Sequence, residues 1–146
     1  EYTNALMCAG SNEEGQLASS DPASQPWPVP VMLGDVTNYE LGAAHTCFIR
    51  FGALKCFGFN EFGQIGDGTS SADIEDNYSP RTVIGGRSNV QQLAAGALHT
   101  CATFGPVATA VPKCWGYNGE GAVGDNRDAD DNDDFPKVLA PSNVSF

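Results

Sequence analysis

One ten-residue frame occurs three times in this chain, and a repeat restricts the possible folds more than any local preference does. The copies begin at Cys8, Cys56 and Cys114 and read Cys-x-Gly-x-Asn-x-x-Gly-x-[Leu/Ile/Val]. A second frame, Gly-x-x-His-Thr-Cys, occurs at Gly42–Cys47 and at Gly96–Cys101. Val36, Val90 and Val144 stand 54 residues apart, and Ser142-Asn143-Val144 repeats Ser88-Asn89-Val90. The chain is thus read as one domain of three repeats, approximately 1–41, 42–95 and 96–146.

Each repeat has the same physical reading. A strand runs through Gly-x-x-His-Thr-Cys, a turn follows, and a return strand ends at Cys-x-Gly. The Asn and the Gly residues then turn the chain, because they tolerate backbone conformations that other residues avoid. A polar loop leads to Pro80–Val83 and Pro136–Val138, with Pro28–Val31 at the corresponding point of the first copy. There are 17 Gly and nine Pro in 146 residues and no sustained helical period. These features predict an all-β chain of three propeller-type blades made of short antiparallel strands.

The frames resemble the repeat of the regulator-of-chromosome-condensation family, which carries Cys-x-Gly-x-Asn-x-x-Gly-Gln-Leu-Gly-Asp-Gly-Thr and Gly-x-x-His-[Thr/Ser]. Cys56 to Thr69 follows the first nearly residue for residue, through Gln64, Ile65, Gly66, Asp67, Gly68 and Thr69. The first copy departs from it with Ala18 where Gly66 and Gly124 stand, and the third has an acidic insertion in place of Gly-Thr. The resemblance implies blades of a propeller that usually has seven. The chain is then part of a larger propeller or of an open repeat assembly. The namesake of the family is a nucleotide-exchange factor for a small GTPase that docks on chromatin. Its exchange activity belongs to an insertion with no match here.

The five cysteines are Cys8, Cys47, Cys56, Cys101 and Cys114. Cys47 and Cys56 flank one hairpin turn, and Cys101 and Cys114 flank its counterpart. Facing residues of antiparallel strands are close enough to be bridged, so the pairs Cys47–Cys56 and Cys101–Cys114 are expected as disulfides. Two such bridges place the protein outside the cell or at its surface. Buried thiols in an intracellular propeller are the plainer alternative. Cys8 is left over, unpaired or destined for an intermolecular bond, because the outgoing strand that would carry its partner is missing from the frame. Both ends of the array then offer open strand edges, to be completed by another copy, by a partner, or by the remainder of a longer polypeptide.

Zinc is disfavoured, since Cys-x-x-Cys is absent and one cysteine accompanies each histidine. His45 and His99 have no nucleophile or orienting carboxylate in a motif with them, so no catalytic residue is assigned. Each imidazole is expected to hydrogen-bond backbone in the core, and Phe57, Phe59, Trp115 and Tyr117 to pack within the blades. Asp125 to Asp134 holds six aspartates; calcium is the ion such oxygen ligands would take, and a solvated charge run is the plainer reading. No metal residue and no cofactor are assigned. Asn77 and Asn143 begin glycosylation sequons.

With 18 acidic against seven basic residues and a formal net charge of -11, the surface repels phosphate backbones. No stretch is apolar enough for membrane insertion. The sequence therefore points to a non-enzymatic extracellular structural or interaction module that binds copies of itself or another protein. A propeller acting in nucleotide exchange, or one binding sugars, stands as the alternative.

Overall fold

In a computed structural model of the chain, residues 4–32, 34–71, 77–126 and 137–145 are described. They form ten strands and two short 3-10 turns: β1 Leu6–Gly10, β2 Gln25–Met32, β3 Val36–Leu41, β4 His45–Arg50, β5 Ala53–Gly58, β6 Arg81–Thr82, β7 Val90–Ala95, β8 His99–Phe104, β9 Val111–Tyr117 and β10 Lys137–Asn143. Every pairing between these strands is antiparallel. Two sheets have four strands in chain order, β3-β4-β5-β6 and β7-β8-β9-β10, and the third contains β1 and β2. The expected all-β blades are present. Among the described residues no helix is long and apolar enough to cross a membrane.

The sheets are offset by one strand from the sequence repeats. Divisions at 41/42 and 95/96 fall between paired strands, β3 with β4 and β7 with β8. The repeat is legible from Gly-x-x-His onward because that segment is rich in fixed residue types. The sheet, however, begins one strand earlier, at Val36 or Val90, where only the apolar positions recur. The described part of the first unit is a two-stranded sheet, whose β1 and β2 correspond to β5-β6 and β9-β10.

Between the sheets lies the core. Strand β4 is buried from His45 through Ile49 because a sheet covers each of its faces. Successive side chains of a strand point to opposite faces. Cys47 and Ile49 accordingly join a cluster with Leu54, Ile65, Val83, Leu93 and Trp115. Phe48 joins a separate cluster with Leu6, Val36 and Phe57.

Candidate functional site

The three motif asparagines do one job. Asn12, Asn60 and Asn118 are all buried. Their Oδ1 atoms accept from the backbone N–H groups of Leu17 at 2.8 Å, Ile65 at 3.0 Å and Val123 at 2.9 Å. The Nδ2 of Asn60 donates to the Thr69 carbonyl and hydroxyl, that of Asn12 to the carbonyls of Ser19 and Asp21, and that of Asn118 to Asp125. Each loop is thus stapled around one amide, which satisfies backbone groups that burial would otherwise leave unpaired.

The His-Thr pair joins neighbouring sheets, and strand alternation explains how. His45 points forward, and its Nε2 lies 2.9 Å from the Thr100 hydroxyl of the next sheet. Thr46 points back, and its hydroxyl donates to the Gln16 carbonyl at 3.1 Å. Thr100 repeats that backward contact on the Gln64 carbonyl at 3.0 Å, and the Trp115 indole donates to the same oxygen at 2.9 Å. Since the single Thr100 proton goes to Gln64, His45 must donate from Nε2, and its Nδ1 carries the bare lone pair. Among the described residues that Nδ1 is buried without a hydrogen-bond partner. Burial, with His99 nearby as a smaller cause, lowers the His45 pKa to about 4. The expectation of a backbone acceptor is therefore corrected for His45, whose ring meets a threonine side chain. Gly42 and Gly96 stand three residues before the histidines because a Cβ at either would collide with the imidazole.

The cysteines of the two hairpins face each other in register, Cys47 opposite Cys56 and Cys101 opposite Cys114. Their sulfurs lie at bonding distance, 2.09 Å and 2.06 Å. Cys8, in β1, is free and half-buried, and burial pushes its thiol up. Alongside it runs a cleft of about 450 Å³ between β1 and the segment Leu41–Thr46, with Leu6, Met7, Tyr39 and Leu41 on its walls. Sequence reasoning missed this cleft; the signal for it was the unmatched Cys8.

The sequon asparagine Asn77 is held within its loop. That side chain is buried and its Nδ2, the atom a glycan would occupy, donates to the Ser71 carbonyl at 2.8 Å. Asn143 is exposed at the end of β10. Most of the acidic segment considered for calcium, 127–134, lies outside the described residues. Among those described, no three His, Cys, Asp or Glu side chains gather to hold a metal ion. The aromatic residues pack as expected: Phe62 bridges Phe59 and Tyr117 edge-on, and Phe48 meets Phe57 likewise.

Residues 52–103 match the regulator of chromosome condensation (RCC1) repeat. Among solved structures, the chain is similar to a chain in the crystal structure of Kap60 bound to yeast RCC1 (Prp20). The TM-score is 0.68 at 20% identity, with 96% of this chain and 33% of that one covered. At that identity the likeness is one of fold, and the chain spans about a third of the length of its structural neighbour. No curated protein matches it. Repeat match, fold and motif geometry agree: residues 52–103 carry an RCC1 repeat, and the chain has the fold of RCC1-type propeller blades.

Proposed function

We propose that the chain is a non-enzymatic interaction module of an oxidising, extracellular setting, which binds protein partners or further copies of itself through its blade edges. One observation carries this reading. Strands β5 and β9 are flanked on both sides, whereas β1, their counterpart, pairs with β2 alone among the described residues. An unpaired edge is a template for another chain. Contact between unlike ends produces a closed ring or a helical fibre, depending on the rotation per subunit.

The cysteines support the compartment, since they sit at bonding distance at the same register position in both four-stranded sheets. An exposed Asn143 leaves room for a glycan there. The non-enzymatic reading rests on His45, which is a buried link between sheets rather than a group that meets substrate. In the similar solved structure yeast RCC1 is bound to Kap60, so proteins are the partner class to test first. The net charge of -11 favours the same class over nucleic acid. Nucleotide exchange on a small GTPase rests on fold analogy alone.

Sedimentation of native material, with cysteine mapping by alkylation and mass spectrometry, tests the proposal. The expected result is a complex or oligomer in which Cys47, Cys56, Cys101 and Cys114 are all protected. A monomer with four free thiols refutes both the assembly and the compartment.

A further inference from the structure

The Cys47–Cys56 pair sits in the middle of a row that the next sheet covers. His45 faces Gly58, Cys47 faces Cys56 and Ile49 faces Leu54. The three pairs follow one another at every second position, on one face of the β3–β6 sheet. Cys47 and Cys56 are both 0% exposed. With Ile49 and Leu54 beside them, they belong to the cluster that takes in Leu93, Ala102 and Trp115 of the β7–β10 sheet. At one end of the row the His45 ring is tied to Thr100 at 2.9 Å, and the Thr100 hydroxyl lies 4.0 Å from the Cys47 sulfur. This burial arises between the two four-stranded sheets, in the middle of the described chain.

Reduction of a disulfide needs the attacking thiolate in contact with one of its sulfurs. Neither cysteine meets solvent while the junction is closed. The β4–β5 hairpin is paired at six consecutive positions, and the bridge itself holds those strands together. The junction is the weaker plane. Strands within a sheet are joined by continuous ladders, whereas the two sheets are joined by side-chain packing and scattered hydrogen bonds, such as His45 to Thr100 and Ala43 to Ala97. Local opening follows the planes with fewest such links.

We propose that the Cys47–Cys56 bridge is a gated redox switch: a dithiol reductant reduces it only when the β3–β6 and β7–β10 sheets part, and the sheets then close over the state left behind. The inference rests on the bridged cysteines of the reading under Proposed function and goes beyond that reading. In the open junction a thiolate of the dithiol attacks one cysteine sulfur, the S–S bond breaks, and a mixed disulfide forms. The second thiol of the reductant then displaces that cysteine. Two electrons and two protons pass to Cys47 and Cys56, and the dithiol ends as a cyclic disulfide. The closed junction has a place for the new Cys47 proton. Thr100 gives its own proton to Gln64 and accepts from His45, so among the described residues one lone pair remains to face the Cys47 sulfur.

The test is made on chain oxidised beforehand, so it reads the gate whatever native material reports of the compartment. Dithiothreitol is added, samples are quenched by alkylation at intervals, and mass mapping separates Cys47–Cys56 from Cys101–Cys114. The Cys47–Cys56 bridge is expected to be reduced on the order of 100-fold more slowly than the same bond in a synthetic peptide of residues 46–57. Thr100→Val loosens the covering sheet and should speed reduction about 10- to 30-fold. Thr46→Val acts on the opposite face of the same strand and should leave the rate unchanged within about twofold. Should a variant fold poorly, urea below the unfolding transition reads the same opening in the parent chain. The logarithm of the rate should then rise with a slope well below that of global unfolding. A peptide-like rate in the folded chain overturns the gate. So does a Thr46→Val rate that rises in step with lost stability, or a urea slope equal to the global one, since either makes complete unfolding the route.

Discussion

The two junctions between sheets are built from one frame and differ in strength. At the junction of the β3–β6 and β7–β10 sheets, the Gln64 carbonyl accepts from both Thr100 and Trp115, and His45 reaches across to Thr100. At the junction of the β1–β2 and β3–β6 sheets, the Gln16 carbonyl accepts from Thr46. The indole has been replaced by Phe57, which has no donor. The loops have changed in step. Gly66 leaves room for the indole, because a Cβ there would lie 2.7 Å from Trp115 Cδ1. Ala18 stands at the homologous position, with φ of 56°, and packs against the cluster that contains Phe57. Gly with Trp and Ala with Phe are thus two solutions to one contact. Loop residue and ring are matched across each interface.

The comparison breaks most readily at that contact. Gly66→Ala should destabilise the chain by about 3 to 4 kcal/mol, combining overpacking against a rigid indole with an alanine in the left-handed region. Ala18→Gly should change stability by no more than about 1 kcal/mol, because relief of backbone strain offsets a lost methyl and a looser unfolded chain. In a Trp115→Phe background the cost of Gly66→Ala should fall to the backbone part, about 1 kcal/mol. The coupling in that double-mutant cycle is then about 2 to 3 kcal/mol. Urea melts of the four chains measure it. An additive pair would mean that indole and loop do not meet as described.

Acid should act on the stronger junction. His45 has a folded pKa of about 4 against an ordinary 6.5, lowered by burial and then by His99. In the window between those values the unfolded chain binds a proton that the folded chain refuses. Stability therefore rises with pH through the window, is fully present above about 6.5, and is lost as pH falls towards 4. The full effect is at most about 3 kcal/mol. His45→Gln keeps a donor near Thr100 and cannot titrate, so its denaturation midpoint should fall less than that of the parent chain as pH drops from 6.5 to 4. A variant that tracks the parent chain through this range would assign the acid sensitivity to another group.

Much of this was legible in the chain itself, for identifiable reasons. Cys47 and Cys56 announce a facing pair because a hairpin and a bridge each constrain the same two positions. The motif asparagines and glycines mark the loops because few other residues tolerate that backbone. The partners of His45 were not legible, since they lie on a strand 55 residues away and depend on how the sheets stack. The burial of Asn77 was hidden for a related reason. A sequon reports on three residues, while the Ser71 carbonyl that engages its amide comes from the surrounding loop. The strand that opens each sheet escaped notice because its signal is alternating burial rather than fixed residue types. Interactions along the chain can be read from it, whereas those across sheets need the register.

The smallest expected effect separates the junctions by their threonines. Thr46 and Thr100 are homologous and both buried. Among the described residues the Thr46 hydroxyl has one partner, the Gln16 carbonyl. Thr100 donates to Gln64, accepts from His45 and lies 4.0 Å from the Cys47 sulfur. Replacement by valine keeps the volume and removes the hydroxyl. Thr46→Val should then cost about 1 kcal/mol, the net value of one hydrogen bond whose acceptor is left only partly buried. Thr100→Val leaves the His45 Nε2 proton buried without an acceptor, on a ring whose Nδ1 is already unpartnered, while Trp115 still satisfies Gln64. The cost should be about 2 kcal/mol, a difference of about 1 kcal/mol between homologous sites. His45→Leu should remove most of that excess, since no proton is then stranded when Thr100 is also changed. Equal costs at Thr46 and Thr100, measured in urea and unaffected by His45→Leu, would mean that the imidazole adds nothing to the stronger junction.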